Sequence, residues 1–404
     1  MTSQARAGGF EFDVVMVGGG GRVGLPLAIA FADRGLRVAI YDVNEVAVKT
    51  ILGGGLPFRE DGARDLLRRA LDGDRLHATT EPRVVSEGAN VVVVVGTPVD
   101  EHLNPNPHTV LAALEACEEH FRRGQLLVLR STVYPGVTER VERQLRERGI
   151  EIDVAFCPER IAEGKAMEEL FSLPQIVAAR SERVRARAGE LFAHLTEVIV
   201  GLEPEEAELA KLFTNAWRYI KFAAANQFYE MANDHGLDYD RIRSAIARDY
   251  PRAADIPGAG FAAGPCLFKD TMQLAAFTDN TFLLGHSAML VNEGLPLYLV
   301  SHLEKKHDLA DMTVGILGMA FKGESDDIRS SLAYKLKRIL QFRAKQVLTT
   351  DPFVAIDDNL LPLAHVLARS DLLIIAAPHR QYAELVTDKP VTDIWNLLGR
   401  GTLV

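Results

Sequence analysis

The first half of the chain alternates short, continuous hydrophobic runs with segments that carry apolar residues at helical spacing. Continuous apolar runs of this kind are typical of parallel strands that are buried on both faces of a sheet. Their alternation with amphipathic helices predicts a doubly wound, mostly parallel sheet. The predicted strands are Phe12 to Val17, Arg37 to Tyr41, Asn90 to Val95, Leu126 to Leu129 and Ile152 to Phe156.

The middle of the chain has a helical pattern instead. From Glu203 to His235 the only Gly or Pro is Pro204, and apolar and polar residues recur at helical spacing, which predicts one long helix. A second helical run, His286 to Lys306, contains Gly294 and Pro296, where we expect a kink or a break. Our hypothesis is that these two runs form a spine that is also a dimer interface.

The last part of the chain returns to hydrophobic runs. Met312 to Gly318, Gln346 to Thr349 and Leu372 to Ala376 predict a second, smaller parallel sheet. The expected fold class is therefore α/β, with two Rossmann-like parallel-sheet domains joined by a long central helical segment. We expect the domains at residues 1–202, 203–308 and 309–404.

Composition and charge narrow the class of protein. A chain of 404 residues exceeds one ordinary core, and 48% hydrophobic with 25% charged residues is typical of soluble globular proteins. The net charge of -10 and the lack of a basic stripe disfavour nucleic acid as a partner. No apolar run has the length of a membrane span, so we expect no membrane partner.

The cysteines and histidines argue against disulfides and metals. Cys117, Cys157 and Cys266 form no CxxC pair, and the segment from Met1 to Gly9 lacks the apolar core of a signal peptide, so we expect a cytoplasmic protein. We expect Cys117, in a helical run from Leu111 to Phe121, and Cys157 to be buried core residues. The 11 His residues show no ligand spacing, so no metal is expected.

A glycine-rich turn follows the first predicted strand. Gly19, Gly21 and Gly24 satisfy G-x-G-x-x-G between that strand and a helical pattern, which allows close backbone approach to a pyrophosphate at a helix N-terminus. Asp42 ends the second strand, where a carboxylate binds a ribose 2′-hydroxyl and repels a 2′-phosphate. NAD is therefore the predicted cofactor, and a glycine turn in another kind of α/β protein is the alternative.

Two further loops follow predicted strands and carry hydroxyl groups. Thr97 lies in one loop, and Ser131 and Thr132 lie in the other. Because strand ends line the ligand crevice of such sheets, both loops are expected to face cofactor or substrate. A plain cap or turn role is the alternative, and for Ser131 it is the favoured interpretation.

The segment from Gly264 to Asp270 carries the chemistry of an activated nucleophile. In a helix that begins at Cys266, Lys269 and Asp270 share a face with the sulfur. The helix N-terminus and the Lys charge both favour thiolate, which is the reactive form. The alternative is an ordinary Cys that serves as a small buried hydrophobic residue.

Two pairs of residues offer charge to an anionic group. Lys211 and Asn215 are four apart on the long predicted helix, so a cation and an amide project from one face toward a developing oxyanion. Lys322 and Arg329 follow the first strand of the second sheet and suit a phosphate-bearing ligand. A solvated surface role is the alternative for both pairs.

With these motifs in order, the chain resembles the UDP-glucose/GDP-mannose dehydrogenase family of nucleotide-sugar 6-dehydrogenases, from Phe12 to Leu397. The motifs are the glycine turn with Leu25-Pro26, Ser131 to Gly136, Pro158 to Gly164, Lys211 with Asn215, Gly264 to Asp270, and Phe321-Lys322 with Asp326 to Arg329. The resemblance implies oxidation of a sugar C6 hydroxyl to a carboxylate with two NAD+. A Cys captures the intermediate aldehyde as a thiohemiacetal, which a second hydride transfer converts to a thioester that water hydrolyses.

The resemblance also implies a role for each matching residue. Cys266 is the nucleophile, Lys211 and Asn215 stabilise the oxyanion, Asp270 acts with an ordered water, and Glu159 and Thr132 assist proton movement. The implied cofactor-binding residues are Gly19, Gly21, Arg22, Val23, Gly24, Asp42, Thr97, Thr132, Glu163, Lys269 and Arg329. The implied residues for the sugar-nucleotide substrate are Glu159, Lys211, Asn215, Arg252, Gly264 and Lys322, with Arg252 supplied across a homodimer.

Two departures from the family pattern concern the substrate and the cofactor. Ala262-Ala263 and Phe268 stand where the family commonly has paired glycines and a proline, so an N-acetylhexosamine is a plausible sugar beside glucose. Arg22 stands where an aromatic or aliphatic residue is usual, close to the cofactor phosphates. The rival functions are a β-hydroxyacid dehydrogenase of the 6-phosphogluconate type, which needs neither Cys266 nor a second α/β domain, and a non-catalytic NAD or sugar-nucleotide sensor.

Overall fold

The computed structural model describes residues 9–97 and 108–404, which form two compact units that meet in sequence between Phe213 and Thr214. Residues 1–8, most of the N-terminal segment that lacks a signal-peptide core, lie outside the described residues, as do residues 98–107 after Thr97. The first unit is built on one large sheet and the second on helices and a smaller sheet. This confirms the predicted fold class, whereas the three domain boundaries stay a prediction.

The sheet of the first unit has the strand order β3-β2-β1-β4-β5-β6-β7-β8 within the described residues. All neighbouring strands pair in parallel except β6 and β7, which are antiparallel. The order reverses between β1 and β4, and ligands of such sheets bind at that point, outside the carboxyl ends of the strands. The strands are Phe12–Val17, Val38–Tyr41, Leu76–Thr79, Gly88–Val93, Leu126–Leu129, Asp153–Phe156, Gln175–Ala178 and Ile199–Leu202 for β1 to β8.

Helices cover both faces of this sheet, which explains the continuous apolar runs. Side chains alternate between the two faces along a strand. Val14 and Met16 of β1 therefore join one buried cluster, and Val15 and Val17 join another. The helices are Gly24–Asp33, Glu45–Leu52, Ala63–Asp72, His108–Glu115, Val137–Glu147, Ala166–Ser172 and Glu182–Phe192 for α1 to α7.

The helical part of the chain contains α8 to α11. The predicted long helix is α8, Pro204–Asp234, and the unit boundary falls within it. It is followed by α9, Tyr239–Ala247, and α10, Leu267–Phe277. The next run was expected to be kinked or broken, and the break is wrong, because α11 continues from Leu283 to Leu303 through Pro296. Pro296 is buried with its neighbours Leu295 and Leu299, and this packing outweighs the loss of about 3 kcal/mol that proline brings to a helix.

The second unit also holds the smaller sheet, with the order β10-β9-β11-β12 and parallel pairing throughout. Its strands are Thr313–Leu317, Gln346–Thr350, Leu372–Ile375 and Val391–Thr392 for β9 to β12, and its helices are Leu332–Gln341 for α12 and Leu363–Arg369 for α13. Ser331 caps α12 by accepting a hydrogen bond from the Ala333 N–H. The loop between β9 and α12 carries Lys322 and Arg329.

Candidate active site

The glycine turn and Asp42 lie against each other at the carboxyl ends of β1 and β2. Asp42 accepts hydrogen bonds from Gly20 N at 2.8 Å and from Asn44 N at 2.9 Å. The turn is thereby tied to the residue expected to bind the ribose. Sequence analysis selected Gly19, Gly21 and Gly24 but not Gly20, whose amide makes this link.

The three motif glycines are required for different reasons. A Cβ on Gly24 would lie 2.6 Å from Gly19 Cα, and one on Gly19 would lie 2.7 Å from Met16 Cβ, so close packing excludes side chains at both. At Gly21 the nearest protein atom would be 3.8 Å from a Cβ, so protein packing does not demand glycine there. Close approach of a diphosphate does demand it, and the turn leading through Val23 into α1 therefore fits NAD.

Arg22 reaches from this turn to Glu163. Its Nη1 lies 2.9 Å from Glu163 Oε1, and its guanidinium lies 5.1 Å from the centroid of the Phe58 ring. The structure thus brings together two of the residues expected at the cofactor, from positions far apart in the sequence.

The loops after β4 and β5 are joined by hydroxyl groups. Thr97 Oγ1 donates to the carbonyl of Thr132 at 2.7 Å, and Ser131 Oγ donates to the carbonyl of Val95 at 2.8 Å. Ser131 is buried, and its hydroxyl links the two loops, whereas its cap or turn role stays a prediction. Thr132 is half-buried at the carboxyl end of β5.

Glu159 is held by a buried arginine that sequence analysis did not identify. Arg130 Nη2 and Nε lie 2.5 Å and 3.0 Å from Glu159 Oε2, and the other carboxylate oxygen accepts from the N–H groups of Arg160 and Ile161. Arg130 is 2% exposed and also donates to the Cys157 carbonyl. Both oxygens of Glu159 accept hydrogen bonds, which fixes this loop, and the role of Glu159 in proton movement stays a prediction.

Lys211 lies on the buried side of α8, which a second buried carboxylate anchors. Glu208, one turn earlier, is fully buried and accepts from Gly136 N, Thr138 N and Thr138 Oγ1 at 2.6 to 2.8 Å. Burial raises the pKa of Glu208 above its ordinary value. Glu208 therefore attaches the start of α8 to the loop that carries Thr132. Lys211 itself is 8% exposed, which contradicts the solvated alternative for this residue.

The second unit holds Cys266 at the start of α10. Cys266 is the residue before the helix, and its carbonyl accepts from Asp270 N at 2.8 Å, so the thiol stands at the helix N-terminus. Asp270 is fully buried and accepts from Asn215 Nδ2 at 2.5 Å, while its other oxygen lies 2.7 Å from Lys269 Nζ. Four of the expected site residues are therefore brought together by α8 and α10.

Accessibility separates Cys266 from the other cysteines. Cys266 is exposed, whereas Cys117 and Cys157 are buried. Burial raises the pKa of Cys117 to about 11 and that of Cys157 to about 12, so both are thiols near neutral pH. Cys117 is a core residue as expected, but α4 ends at Glu115 and Cys117 lies in the following turn rather than in a longer helix.

The turn before Cys266 packs on the loop after β9. Gly264 has a φ of +103°, and a Cβ there would lie 2.5 Å from the Phe321 ring, so glycine is needed for both reasons. Gly264 N also donates to the Ser330 carbonyl at 3.3 Å. Lys322 adjoins Phe321, and Arg329 adjoins Ser330 and pairs with Asp327 at 2.6 Å. The two cations are therefore carried by the loop that supports the Cys266 turn.

The side chains of Asp351 and His379 are fully buried and bind the main chain of this loop. Asp351 Oδ2 accepts from Met319 N at 2.7 Å, from Ala320 N at 3.0 Å and from His379 Nε2 at 3.0 Å. His379 Nδ1 accepts from Glu324 N at 3.0 Å. These contacts join three segments that are distant in sequence, and no local pattern pointed to them.

In the described part of the chain, no hydrogen bond or ion pair joins Arg252 to Cys266 or to the neighbouring Asp270 and Asn215. It is exposed on a short turn after α9, with its guanidinium 5.1 Å from the Tyr250 ring centroid. Among residues 9–97 and 108–404, no group of three or more His, Cys, Asp or Glu side chains could hold a metal ion. Within the same residues, no helix is long and apolar enough to cross a membrane.

Comparison with known proteins matches the segment with the glycine turn and the segment with Cys266 to one family. The chain matches three models of the UDP-glucose/GDP-mannose dehydrogenase family: the NAD binding domain over residues 13–196, the central domain over 205–293 and the UDP binding domain over 315–400.

Individual relatives agree with these matches. The chain is 31% identical to UDP-N-acetyl-D-mannosamine dehydrogenase from Pyrococcus horikoshii, covering 91% of this chain and 90% of that protein. It is 28% identical to NDP-N-acetyl-D-galactosaminuronic acid dehydrogenase from Ralstonia nicotianae, with 95% of each chain covered. Its structure matches a UDP-glucose dehydrogenase from Pyrobaculum islandicum with a TM-score of 0.88 and 29% identity, covering 97% of this chain and 96% of the other.

Proposed function

This chain belongs to the UDP-glucose/GDP-mannose dehydrogenase family and is an NAD-dependent nucleotide-sugar dehydrogenase, and we propose that it converts a sugar C6 hydroxyl to a carboxylate through a covalent bond to Cys266. The observation that carries the proposal is the exposed Cys266 at the N-terminus of α10, next to the buried contact between Asp270 and Asn215. A helix N-terminus favours the thiolate, and an exposed thiolate can attack an aldehyde.

The proposed reaction balances as a four-electron oxidation. The C6 alcohol, two NAD+ and one water give the carboxylate, two NADH and three protons. NAD supplies the hydride acceptor at each oxidation. Cys266 Sγ bonds to the aldehyde carbon to give a thiohemiacetal, loss of a second hydride gives a thioester, and water then cleaves the C–S bond and releases the thiol.

Lys211, Asn215 and Asp270 are proposed to manage the charges of these steps. Lys211 and Asn215 lie one helical turn apart on α8, and both are more than nine-tenths buried. A buried cation and an amide N–H stabilise a developing oxyanion far more than they would in water. Asn215 has two N–H groups and donates one to Asp270, which fixes the direction of its amide. Asp270 is proposed to act with a water in proton transfer, and Thr132 to assist it.

The substrate is proposed to be a UDP-N-acetylhexosamine, with UDP-glucose as the second candidate. Relatives named for N-acetylmannosamine and N-acetylgalactosaminuronic acid nucleotides cover nearly the whole chain. Lys322 is proposed to bind the sugar nucleotide and Arg329 to lie near a cofactor phosphate. The packing of Gly264 on Phe321 supports the first role, because it places the Lys322 loop beside the Cys266 turn.

The test is a panel of nucleotide sugars incubated with NAD, in which NADH and uronic acid are both measured. We expect UDP-N-acetylmannosamine or a related N-acetylhexosamine to give two NADH per uronic acid. Asp42 is proposed to bind the ribose diol, so NADP should replace NAD poorly. Release of one NADH per substrate, or oxidation of a small β-hydroxyacid instead, would refute the proposed function.

The chain is also proposed to act as a homodimer through α8. Trp217, Phe228 and Met231 are 59%, 49% and 56% exposed and share one face of this helix. Large exposed apolar faces of this kind mark interaction sites. In a dimer of this form Arg252 would be available to a neighbouring subunit, as the family resemblance implies.

Replacing these side chains tests the dimer. Trp217→Glu and Phe228→Glu should shift the protein from dimer to monomer in light scattering, because charges would be buried without partners. Phe342→Glu is the matched control, because Phe342 is 90% exposed at the end of α12. A wild-type protein that is monomeric at micromolar concentration would contradict the proposal.

A further inference from the structure

The ion pair between Arg22 and Glu163 connects the glycine turn to the loop that precedes α6. The two side chains are 21% and 14% exposed, so the pair is mostly shielded from water yet open at its edge. Phe58 packs against the guanidinium with a centroid distance of 5.1 Å, which limits where the Arg22 side chain can turn.

The main chain on both sides of this pair is held firmly. Glu60 is 5% exposed and accepts from Gly164 N at 2.9 Å and from Ala166 N at 2.8 Å, which fixes the residues that follow Glu163. Arg22 lies between Gly21, whose carbonyl accepts from Leu25 N, and the start of α1. The main chain beside each of the two side chains is therefore held by contacts that do not involve the ion pair.

A diphosphate bound at this turn would meet the Arg22 guanidinium as well as the helix N-terminus. Guanidinium groups bind phosphate oxygens in a bidentate manner, and a dianion attracts the cation more strongly than one carboxylate does. Glu163 has the opposite effect, because its negative charge opposes the phosphates unless Arg22 lies between them.

We propose that Arg22 exchanges Glu163 for the cofactor diphosphate, so that binding of the diphosphate releases the Glu163 carboxylate from its ion pair. This inference rests on the proposed function only in taking NAD as the molecule that binds at the glycine turn. Glu163 then competes with the cofactor for Arg22, and the Arg22–Glu163 ion pair is present only when no diphosphate is bound.

ADP-ribose separates this exchange from any direct contact of Glu163 with nicotinamide, because it carries the diphosphate and lacks the nicotinamide ring. Its affinity is measured by calorimetry for the wild type, Glu163→Gln, Arg22→Ala and the double variant. Removing the competitor in Glu163→Gln should tighten ADP-ribose binding by about 3- to 10-fold, as expected for loss of one partly shielded ion pair. Arg22→Ala should weaken binding by roughly 10-fold or more.

The double variant distinguishes exchange from simple repulsion. Under exchange, Glu163→Gln has little effect once Arg22 is absent, because there is no longer a shared cation. Under repulsion alone, Glu163→Gln tightens binding at least as much in the Arg22→Ala background, and this result would overturn the proposal. Asp33→Asn is the control, because Asp33 pairs with Arg69 at 3.4 Å at the opposite end of α1 and should leave ADP-ribose affinity unchanged.

The two proposals fail in different ways. A wild type that binds ADP-ribose while Glu163→Gln binds it no more tightly would overturn the exchange and leave the proposed oxidation intact. A wild type that binds ADP-ribose as described but oxidises no nucleotide sugar would overturn the proposed function and leave the Arg22 exchange supported.

Discussion

At the scale of single residues, the site combines groups that a motif reveals with groups that only the fold reveals. Cys266, Lys211, Asn215 and Asp270 carry distinctive chemistry at short spacing, so the sequence alone identified them. The residues that support this part of the structure carry no such signal in the sequence. Arg130 meets Glu159 across 29 residues, and Glu208 meets Thr138 across 70. Such contacts are created by strand order and helix docking, which residue spacing does not encode.

The pair of Arg130 and Glu159 leads to a prediction at this scale. Glu159→Leu and Arg130→Met should each lower the free energy of unfolding of the NAD-binding unit by about 3 to 5 kcal/mol, because each leaves a buried charge without its partner. The double variant Arg130→Met/Glu159→Leu should lower the free energy of unfolding by clearly less than the sum of the two single losses. Urea unfolding of the four proteins measures this coupling, and additive losses would show that the two side chains do not act as a pair.

At the scale of elements, the sequence predicted some strands of the large sheet and not others. The strands with continuous Val and Leu runs were predicted, with ends that differ by up to two residues from the structure. For example, the strand predicted from Asn90 to Val95 is Gly88–Val93. The strands that were not predicted include the two edge strands, Leu76–Thr79 and Ile199–Leu202, which carry exposed residues. Gln175–Ala178 was also not predicted, although it is fully buried inside the sheet. Pro296 likewise shows tertiary packing overriding a local helix-breaking signal.

The loop after β9 gives a prediction that depends on pH. Burial alone would raise the pKa of Asp351, but the hydrogen bond and charge of His379, together with hydrogen bonds from backbone N–H groups, lower it to about 2 from 3.8. A depressed folded-state pKa stabilises the fold above the unfolded-state value, and this contribution is lost as the pH falls from about 4 toward 2. At neutral pH the lowered pKa of Asp351 contributes about 2 kcal/mol to the free energy of unfolding.

Asp351→Asn should therefore be less stable than the wild type at pH 7 by about this amount, and the difference should shrink below pH 4. Urea unfolding across this range measures it, with exposed Asp388→Asn as the control. Amide hydrogen exchange at Met319 and Ala320, which donate to Asp351, should be faster in Asp351→Asn. Equal stability of wild type and variant at pH 7 would exclude this role for Asp351.

At the scale of the whole molecule, the sequence predicted the order of sheet, long helix and second sheet because each has its own hydrophobic period. The sheet runs are continuous, whereas α8 repeats its apolar residues at helical spacing over Pro204–Asp234. The three domain boundaries stay a prediction. The boundary after Phe213 lies inside α8, where the residue pattern does not change.

The central claim is that one thiol, Cys266, holds the sugar between the two oxidations. Mass spectrometry of Cys266→Ser after incubation with NAD and the nucleotide sugar tests it most directly, because an oxygen ester hydrolyses less readily than a thioester. We predict a sugar acyl adduct at position 266 that persists, with uronic acid release far below the wild-type rate. Full turnover by the variant, or an adduct on Cys157 or Cys117 in the wild type, would contradict the account.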